Sequence, residues 1–419
     1  MKVWLLQRAE PTPHDNDGAQ RKLRTGLMAE FFQAAGHEVI WFTSTFDHYN
    51  RRQRFDETTR TEVMPGFDIV YLKGPGYRRN ISFQRLQDER VLAEEFARYA
   101  RTLPKPDVIL SSLPSVTIAR EASKYAGKRG IPHVCDVRDL WPDVFLDVLP
   151  SALRPIAAPV LHPLRRSLGK VVDASTAVTG LTDQYIQWAL DQGTRAKTAE
   201  DRPLLMAYMP QESIELSSFE KEAMKKKFEI VDGELNVVFV GTIGPMMSLD
   251  PVLDAARKLS EKNDPVKIRL CGHGSDFERV RTQAATIKTI DCPGWINARE
   301  IRYLLEESDV GLLPYKEIDT FRWSIPNKFG EYLAGSLVLV GNLAESAMGQ
   351  MITDTRSGFI YSDDSERLAD TLEWLEQDRG ELARVRSNAR QLYEERFHGP
   401  RVFTDFVARI ENVVANAAA

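Results

Sequence analysis

In the stretch SIPNKFGEYLAG, residues 324 to 335, Lys328 and Glu331 stand three positions apart, the spacing that puts two side chains on one helix face. An ammonium and a carboxylate on one face can both point at a ligand. The same stretch also fits an ordinary crossover helix, with Pro326 in the first turn and Gly335 as the C-cap. Glycine turns recur upstream: Gly241-Thr242-Ile243-Gly244-Pro245 follows LNVVFV, and Gly272-His273-Gly274 follows KIRLC. Glycine lets a backbone approach a phosphate closely, and a helix start beyond it supplies N–H donors. Many such glycines serve only to turn the chain.

Arg138 and Asp139 follow HVCDV and are expected at the carboxyl end of that strand. An arginine there could stabilise charge on a leaving group, and an aspartate could orient or deprotonate a hydroxyl. Their structural alternative is an Arg–Asp pair closing the strand. Asp15-Asn16-Asp17-Gly18 has the acidic spacing of a metal chelate, but Asp17 as N-cap and Gly18 as first helical residue is the simpler reading. His37 and His133 read as structural, whereas His273 stands between two glycines.

The elements that must position these residues are short apolar runs alternating with helical stretches, the pattern of parallel sheets with crossover helices. KVWLLQ, EVIWFTS, DIVYLKG, DVILSSL, HVCDVRD and STAVTGL form a first series of expected strands. GAQRKLRTGLMAEFFQAAG is an expected helix, ending at Gly36. A second series, LNVVFVG, KIRLCG, IKTIDCPG, DVGLLPY, SLVLVGN and GFIYS, follows the polar stretch 191–203. The pattern predicts two doubly wound, Rossmann-like α/β domains, residues 1–200 and 201–399, with the amphipathic segment 400–419 packing back on the first. In such sheets ligands bind beyond the carboxyl ends of the strands, where the glycine turns and Arg138 fall.

The bulk properties narrow the classes. The 419 residues are 43% hydrophobic and 27% charged, enough apolar material for two cores, and a net charge of −5 argues against a nucleic-acid partner. No apolar run reaches the ~20 residues that span a bilayer. The start, MKVWLLQRAEP, reads as a strand rather than a signal peptide. Cys135, Cys271 and Cys292 lack metal-ligand spacing and read as reduced core residues of a cytoplasmic protein. Residues 151–172, SALRPIAAPVLHPLRRSLGKVV, depart from the alternation. They read as a linker with a surface helix or as a basic element on an anionic membrane face. Prolines 155, 159 and 163 forbid one long helix.

The order VVFVGTIG, LCGHG, CPGW, DVGLLPY and SIPNKFGEYLAG resembles the donor-binding domain of glycosyltransferase family 4, which has the GT-B fold with a cleft between its two domains. AAGHEVIWFTS and IPHVCDVRDLWPDVF are similar to bacterial members that build O-antigen, lipopolysaccharide, capsule and exopolysaccharide. WFTSTFDHYNRRQRF resembles the N-acetyl-fucosamine transferase type. The likeness runs over nearly the whole chain, and PNKFGEYLAG and VRDLWPD are its more specific motifs.

The resemblance implies that Glu331 bonds the ribose and Lys328 reaches the diphosphate. Ser324, Ile325, Pro326 and Asn327 would neighbour the donor sugar, with Gly244, Gly272 and His273 in the donor site. Gly18 would lie near the diphosphate and acceptor, and Arg138 would stand where many relatives have His. Two departures stand out: Trp323 replaces a frequent acidic residue, and Thr242 and Met247 replace a frequent Arg and Lys. The resemblance implies a retaining, metal-independent transferase with no cofactor beyond a UDP-sugar co-substrate. The donor would be a UDP-sugar, an N-acetylated deoxyhexosamine being one candidate, and the acceptor a saccharide or polyprenyl-linked saccharide at the inner membrane surface. A UDP-sugar 2-epimerase of the same fold and a non-catalytic partner subunit are the alternatives.

Overall fold

The computed structural model describes residues 1–15, 22–79, 82–147, 149–150, 153–209 and 216–418. Two compact units emerge, Met1–Leu204 with Arg401–Ala419, and Leu205–Pro400.

The first unit is built on a seven-stranded sheet. Its strands are β1 (Lys2–Leu6), β2 (Glu38–Ser44), β3 (Thr59–Met64), β4 (Phe67–Leu72), β5 (Val108–Ser112), β6 (His133–Val137) and β7 (Ala177–Gly180), in the order β3-β4-β2-β1-β5-β6-β7. All neighbours are parallel except β3 and β4. The six expected apolar runs are the six parallel strands. The half-buried edge strand β3 is an addition, turned back onto β4 through Pro65 and Gly66, whose φ of +80° suits glycine. Every residue of β5, β6 and β7 is buried, as continuous apolar runs of a parallel sheet require.

Where a helix from Gly18 was expected, helix begins at Arg24 and ends at Ala34, with Gly36 beyond it at φ +84°. Residues 16–21, including Asp17 and Gly18, lie outside the described residues. Within 151–172 the prolines break the chain into Arg154–Ala157, Ala158–Leu161 and His162–Asp173, each segment with a proline in its first two positions. The last helix, Gly399–Ala418, packs on the first helix through Phe403 against Phe31 (5.4 Å) and Phe406 against Phe32 (6.2 Å).

The second unit has six parallel strands: β8 (Leu235–Val240), β9 (Val266–Cys271), β10 (Ile290–Gly294), β11 (Val310–Leu313), β12 (Val338–Gly341) and β13 (Gly358–Ile360), ordered β10-β9-β8-β11-β12-β13. Strand order therefore reverses beside β8, between β8 and β11, as it does between β1 and β5 in the first unit. Such switch points are where doubly wound sheets bind ligands. Alternation along β8 splits its side chains between two cores: Leu235, Val237 and Phe239 on one face, Val238 and Val240 on the other. The second face is covered by Phe329, Tyr332 and Leu333 of the Asn327–Ala334 helix.

That helix lies close because β11 has glycine where the tyrosine passes. A Cβ on Gly311 would stand 2.4 Å from a ring carbon of Tyr332. We expect Gly311→Ala to cost about 1–3 kcal/mol through overpacking. The urea midpoint should fall with the slope unchanged; an unshifted midpoint would show the ring free to move aside.

Candidate functional site

Pro326 is the N-cap of the Asn327–Ala334 helix, in extended conformation (ψ 154°), one position earlier than expected, and Gly335 is the C-cap with φ −78°. The left-handed turn beyond the helix falls on Ser336 (φ 58°) rather than on the glycine. Lys328 and Glu331 share a face: Nζ of Lys328 donates to Oε2 of Glu331 at 2.6 Å. The carboxylate is 3% exposed and the lysine side chain 23%. Glu331 borders a cavity of about 300 Å³ that Tyr208, Arg302, Arg390 and His398 also line. The neighbouring Tyr332 points the other way and is wholly buried. Its hydroxyl accepts from the Val240 N–H at 3.0 Å, tying the helix to the carboxyl end of β8. Burial drives its phenol pKa well up, so it stays neutral.

Ser324 and Ile325, at 7% and 4% exposure, precede the cap, and Ile325 belongs to the core. The expected sugar-side role of Ile325 is thus left to its backbone, because its side chain is spent on packing. Asn327 is exposed.

The two glycine turns are pressed together. Gly272 has φ +144°, and a Cβ there would stand 1.7 Å from the Gly241 carbonyl oxygen; one on Gly274 would stand 2.3 Å from the Ile243 carbonyl oxygen. Backbone bonds join the loops: Ile243 N–H to His273 O (3.1 Å) and Asp276 N–H to Ile243 O (3.1 Å). Loop packing alone therefore requires Gly272 and Gly274. Gly244 is different, since its nearest contact would be Ser275 Oγ at an ordinary 3.4 Å. His273 is exposed; its Nδ1 accepts from the Gly274 N–H (2.8 Å), and its ring lies 4.7 Å from that of Phe277.

In the first unit Arg138 does follow β6, but its guanidinium engages Asp136 within that strand (Nε to Oδ2, 2.5 Å), Glu10, and Thr25 Oγ1 (2.9 Å). Asp136 is also held by Arg24 at 2.8 Å. Burial alone would raise the Asp136 pKa, yet Arg138 and Arg24 outweigh it and the net shift is downward. Glu10 accepts from the Thr25 N–H (2.8 Å) at the start of the first helix, so the network joins three elements. Asp139 is half-buried beside it.

Asp15, the first acid of that Asp-x-Asp spacing, is engaged within the first unit. Both its oxygens bind Arg54 (2.7 and 2.8 Å), and Oδ2 accepts the Thr12 N–H.

Sequence reasoning passed over Glu10, Arg24 and Asp136, whose partners lie up to 128 residues apart. It also passed over Asn342, buried after β12, which bonds both the N–H and the carbonyl of Tyr315 and reaches Asp363 at 2.9 Å. The position after a strand was the available signal for Asn342.

Residues 220–392 match the family model "Glycosyl transferases group 1". The putative colanic acid biosynthesis glycosyltransferase WcaL of Escherichia coli (strain K12) is 28% identical over 170 residues, 39% of this chain and 42% of that protein. The chain thus matches less than half the length of this curated relative. Among solved structures, Anabaena HepE in complex with UDP aligns over 98% of this chain and all of its own (TM-score 0.65, 12% identity). Sucrose-phosphate synthase from Thermosynechococcus elongatus aligns over 99% of both chains (0.70, 12%). WaaG, a glycosyltransferase involved in lipopolysaccharide biosynthesis, covers 97% of this chain and 99% of its own (0.61, 13%). With its two Rossmann-like α/β units, the chain has the GT-B fold.

Asp136→Asn should destabilise the first unit by about 3–5 kcal/mol, because two buried guanidinium groups lose their shared anion. The carboxylate's lowered pKa contributes stability that is complete above the usual aspartate value of ~4 and fades as pH falls below it. Urea midpoints measured from neutral pH down to pH ~3 should fall for the natural protein. The variant should lack this part of the decline, and an equal decline would remove Asp136 as its source.

Proposed function

We propose that the chain is a retaining glycosyltransferase of the family 4 type, moving a sugar from a UDP-sugar to a saccharide or lipid-linked saccharide in bacterial surface polysaccharide synthesis. The observation that carries the reading is the Lys328–Glu331 pair on the helix bound to the end of β8, inside the segment matching the glycosyl transferases group 1 model. UDP in the Anabaena HepE complex supports the choice of nucleotide.

In this reading Glu331 accepts from the ribose hydroxyls. A carboxylate is suited to that task because it can accept from two adjacent hydroxyls. Lys328 turns its charge to the diphosphate, assisted by the backbone N–H groups at Asn327 and Lys328 in the helix's first turn. These groups take the place of a metal ion in stabilising the leaving diphosphate. Ser324, Pro326 and Asn327 border the sugar, and Gly244 gives the loop after β8 room beside the phosphates. Asp139 orients the acceptor hydroxyl. Arg138 divides its charge between Asp136 and Glu10, and so holds the end of β6 in place for Asp139. The reaction runs in the cytoplasm.

Acceptor-dependent release of UDP, with the anomeric configuration of the product read by NMR, tests the reading. Release without an acceptor, accompanied by an epimerised sugar, would overturn it in favour of an epimerase. Glu331→Gln should weaken UDP binding by about 1.5–3 kcal/mol, roughly ten- to a hundredfold, in calorimetry. Unaltered affinity would remove the ribose role. Lys328→Ala should depress diphosphate affinity and turnover together; equal rates with and without the lysine would remove its assignment.

A further inference from the structure

Beyond the carboxyl ends of β1, β2 and β4, the first unit gathers Arg8, His48, Tyr49 and Tyr77, which the proposed chemistry leaves unused. Past β2 the chain makes a short hairpin, Phe46–Asp47 against Arg52–Gln53, whose turn carries His48 and Tyr49. Arg8 follows β1, and Tyr77 follows β4. The hairpin is held from inside. The Asp47 carboxylate, 1% exposed, accepts from the N–H groups of Tyr49 (2.9 Å) and Asn50 (3.1 Å) and from the Asn50 side chain (2.7 Å). On this fixed turn the Tyr49 ring stands 56% exposed, edge-on to the His48 ring at 5.3 Å.

Hydrogen bonding decides what His48 presents to a ligand. Its Nδ1 lies 2.6 Å from the Tyr77 hydroxyl, whose oxygen also accepts from Arg8 Nη1 at 3.4 Å. Tyr77 is buried, and among the described residues Nδ1 is the one acceptor within reach of its hydroxyl proton. The tyrosine therefore donates to Nδ1, and the neutral imidazole carries its own proton on Nε2. Burial first, then the guanidinium groups of Arg51, Arg8 and Arg85, push His48 down to about 4, so the ring is neutral near pH ~7. Its Nε2–H makes no hydrogen bond among the described residues. The Tyr49 phenol is pushed up by burial and by the fields of Glu10 and Asp47, so it too remains a donor, beside the Glu10–Arg138 pair.

These groups suit a sugar better than an anion. Arg8 is spent on Asp88 (3.4 Å) and Glu89 (3.2 Å), and Arg51 lies over the Tyr77 ring (5.2 Å). What remains open is an aromatic face and a neutral N–H donor. A pyranose offers the complement: a face of C–H groups for the ring and hydroxyl oxygens for the N–H. We propose that Tyr49 and His48 hold the saccharide acceptor, its ring stacked on Tyr49 and one hydroxyl accepting from His48 Nε2–H. Tyr77 and Arg8 are positioning residues, fixing the tautomer without touching the sugar. That the bound sugar is an acceptor rests on the proposed transfer; its binding needs no donor.

Saturation-transfer NMR on the full chain tests the site, with methyl glycosides of glucose, galactose and N-acetylglucosamine as probes and no nucleotide present. At least one glycoside should receive saturation on the C–H protons of one ring face. Tyr49→Ala should weaken its binding about five- to tenfold, and Tyr49→Phe should retain it. The urea midpoint of Tyr49→Ala should not move, since the ring is mostly in solvent. With the same sugar as acceptor, UDP release by Tyr49→Ala should show KM raised about five- to tenfold and kcat within about twofold. Isotope-edited NMR near neutral pH should find the His48 proton on Nε2. Tyr77→Phe should abolish that preference and raise the acceptor KM about threefold or more, a pairing of effects that lost packing would not give. No glycoside bound, equal binding by Tyr49→Ala, or a His48 proton on Nδ1 would each overturn the proposal. Tyr49-dependent binding with no UDP release from any donor would leave the saccharide site standing and overturn the transferase reading instead.

Discussion

The hydrogen bond from the Val240 N–H to the Tyr332 hydroxyl fixes the position of the Asn327–Ala334 helix against the end of β8. Since the tyrosine and the glutamate are adjacent, anchoring one places the other. Side chains one step apart on a helix diverge by roughly 100°, so a ring buried under Gly311 leaves Glu331 on an adjoining flank, within reach of Lys328. The tyrosine is locked twice, by its buried hydroxyl and by the glycine that makes room for its ring. Loss of either would move the Lys328–Glu331 pair without touching it.

A different economy holds the first unit's switch region. Asp136 sits at the end of a fully buried strand between two guanidinium groups, and Glu10 shares one of them and meets the N-terminal end of the first helix. Isolated ions in such surroundings would be costly, and their mutual pairing is what makes the arrangement tolerable. One carboxylate serves two arginines while a second carboxylate shares Arg138. The same pairing limits what Arg138 can do for a ligand, because its charge is already divided.

The second unit uses close backbone contact where two of its loops meet. The loops after β8 and β9 are joined by main-chain bonds that only glycine permits at 272 and 274. Rigid loops at a switch point reduce the ordering cost of binding, since little conformational freedom remains to be lost.

Much was legible from residue order. The parallel strands could be read because each is a continuous apolar run bounded by polar helices, and burial on both faces demands that composition. The pairing of Lys328 with Glu331 was legible for the same reason, being a local consequence of helix pitch. Edge strand β3 escaped because its residues are only half-buried, so no run marks it. Tertiary structure alone decided that Arg138 would turn to Asp136 and Glu10, and that Asp15 would close on Arg54. It also decided that Gly272 serves loop packing and that Tyr332 locks its helix to β8. These partners are brought together by the order of strands in the sheet, and spacing along a chain carries no record of contacts made across it.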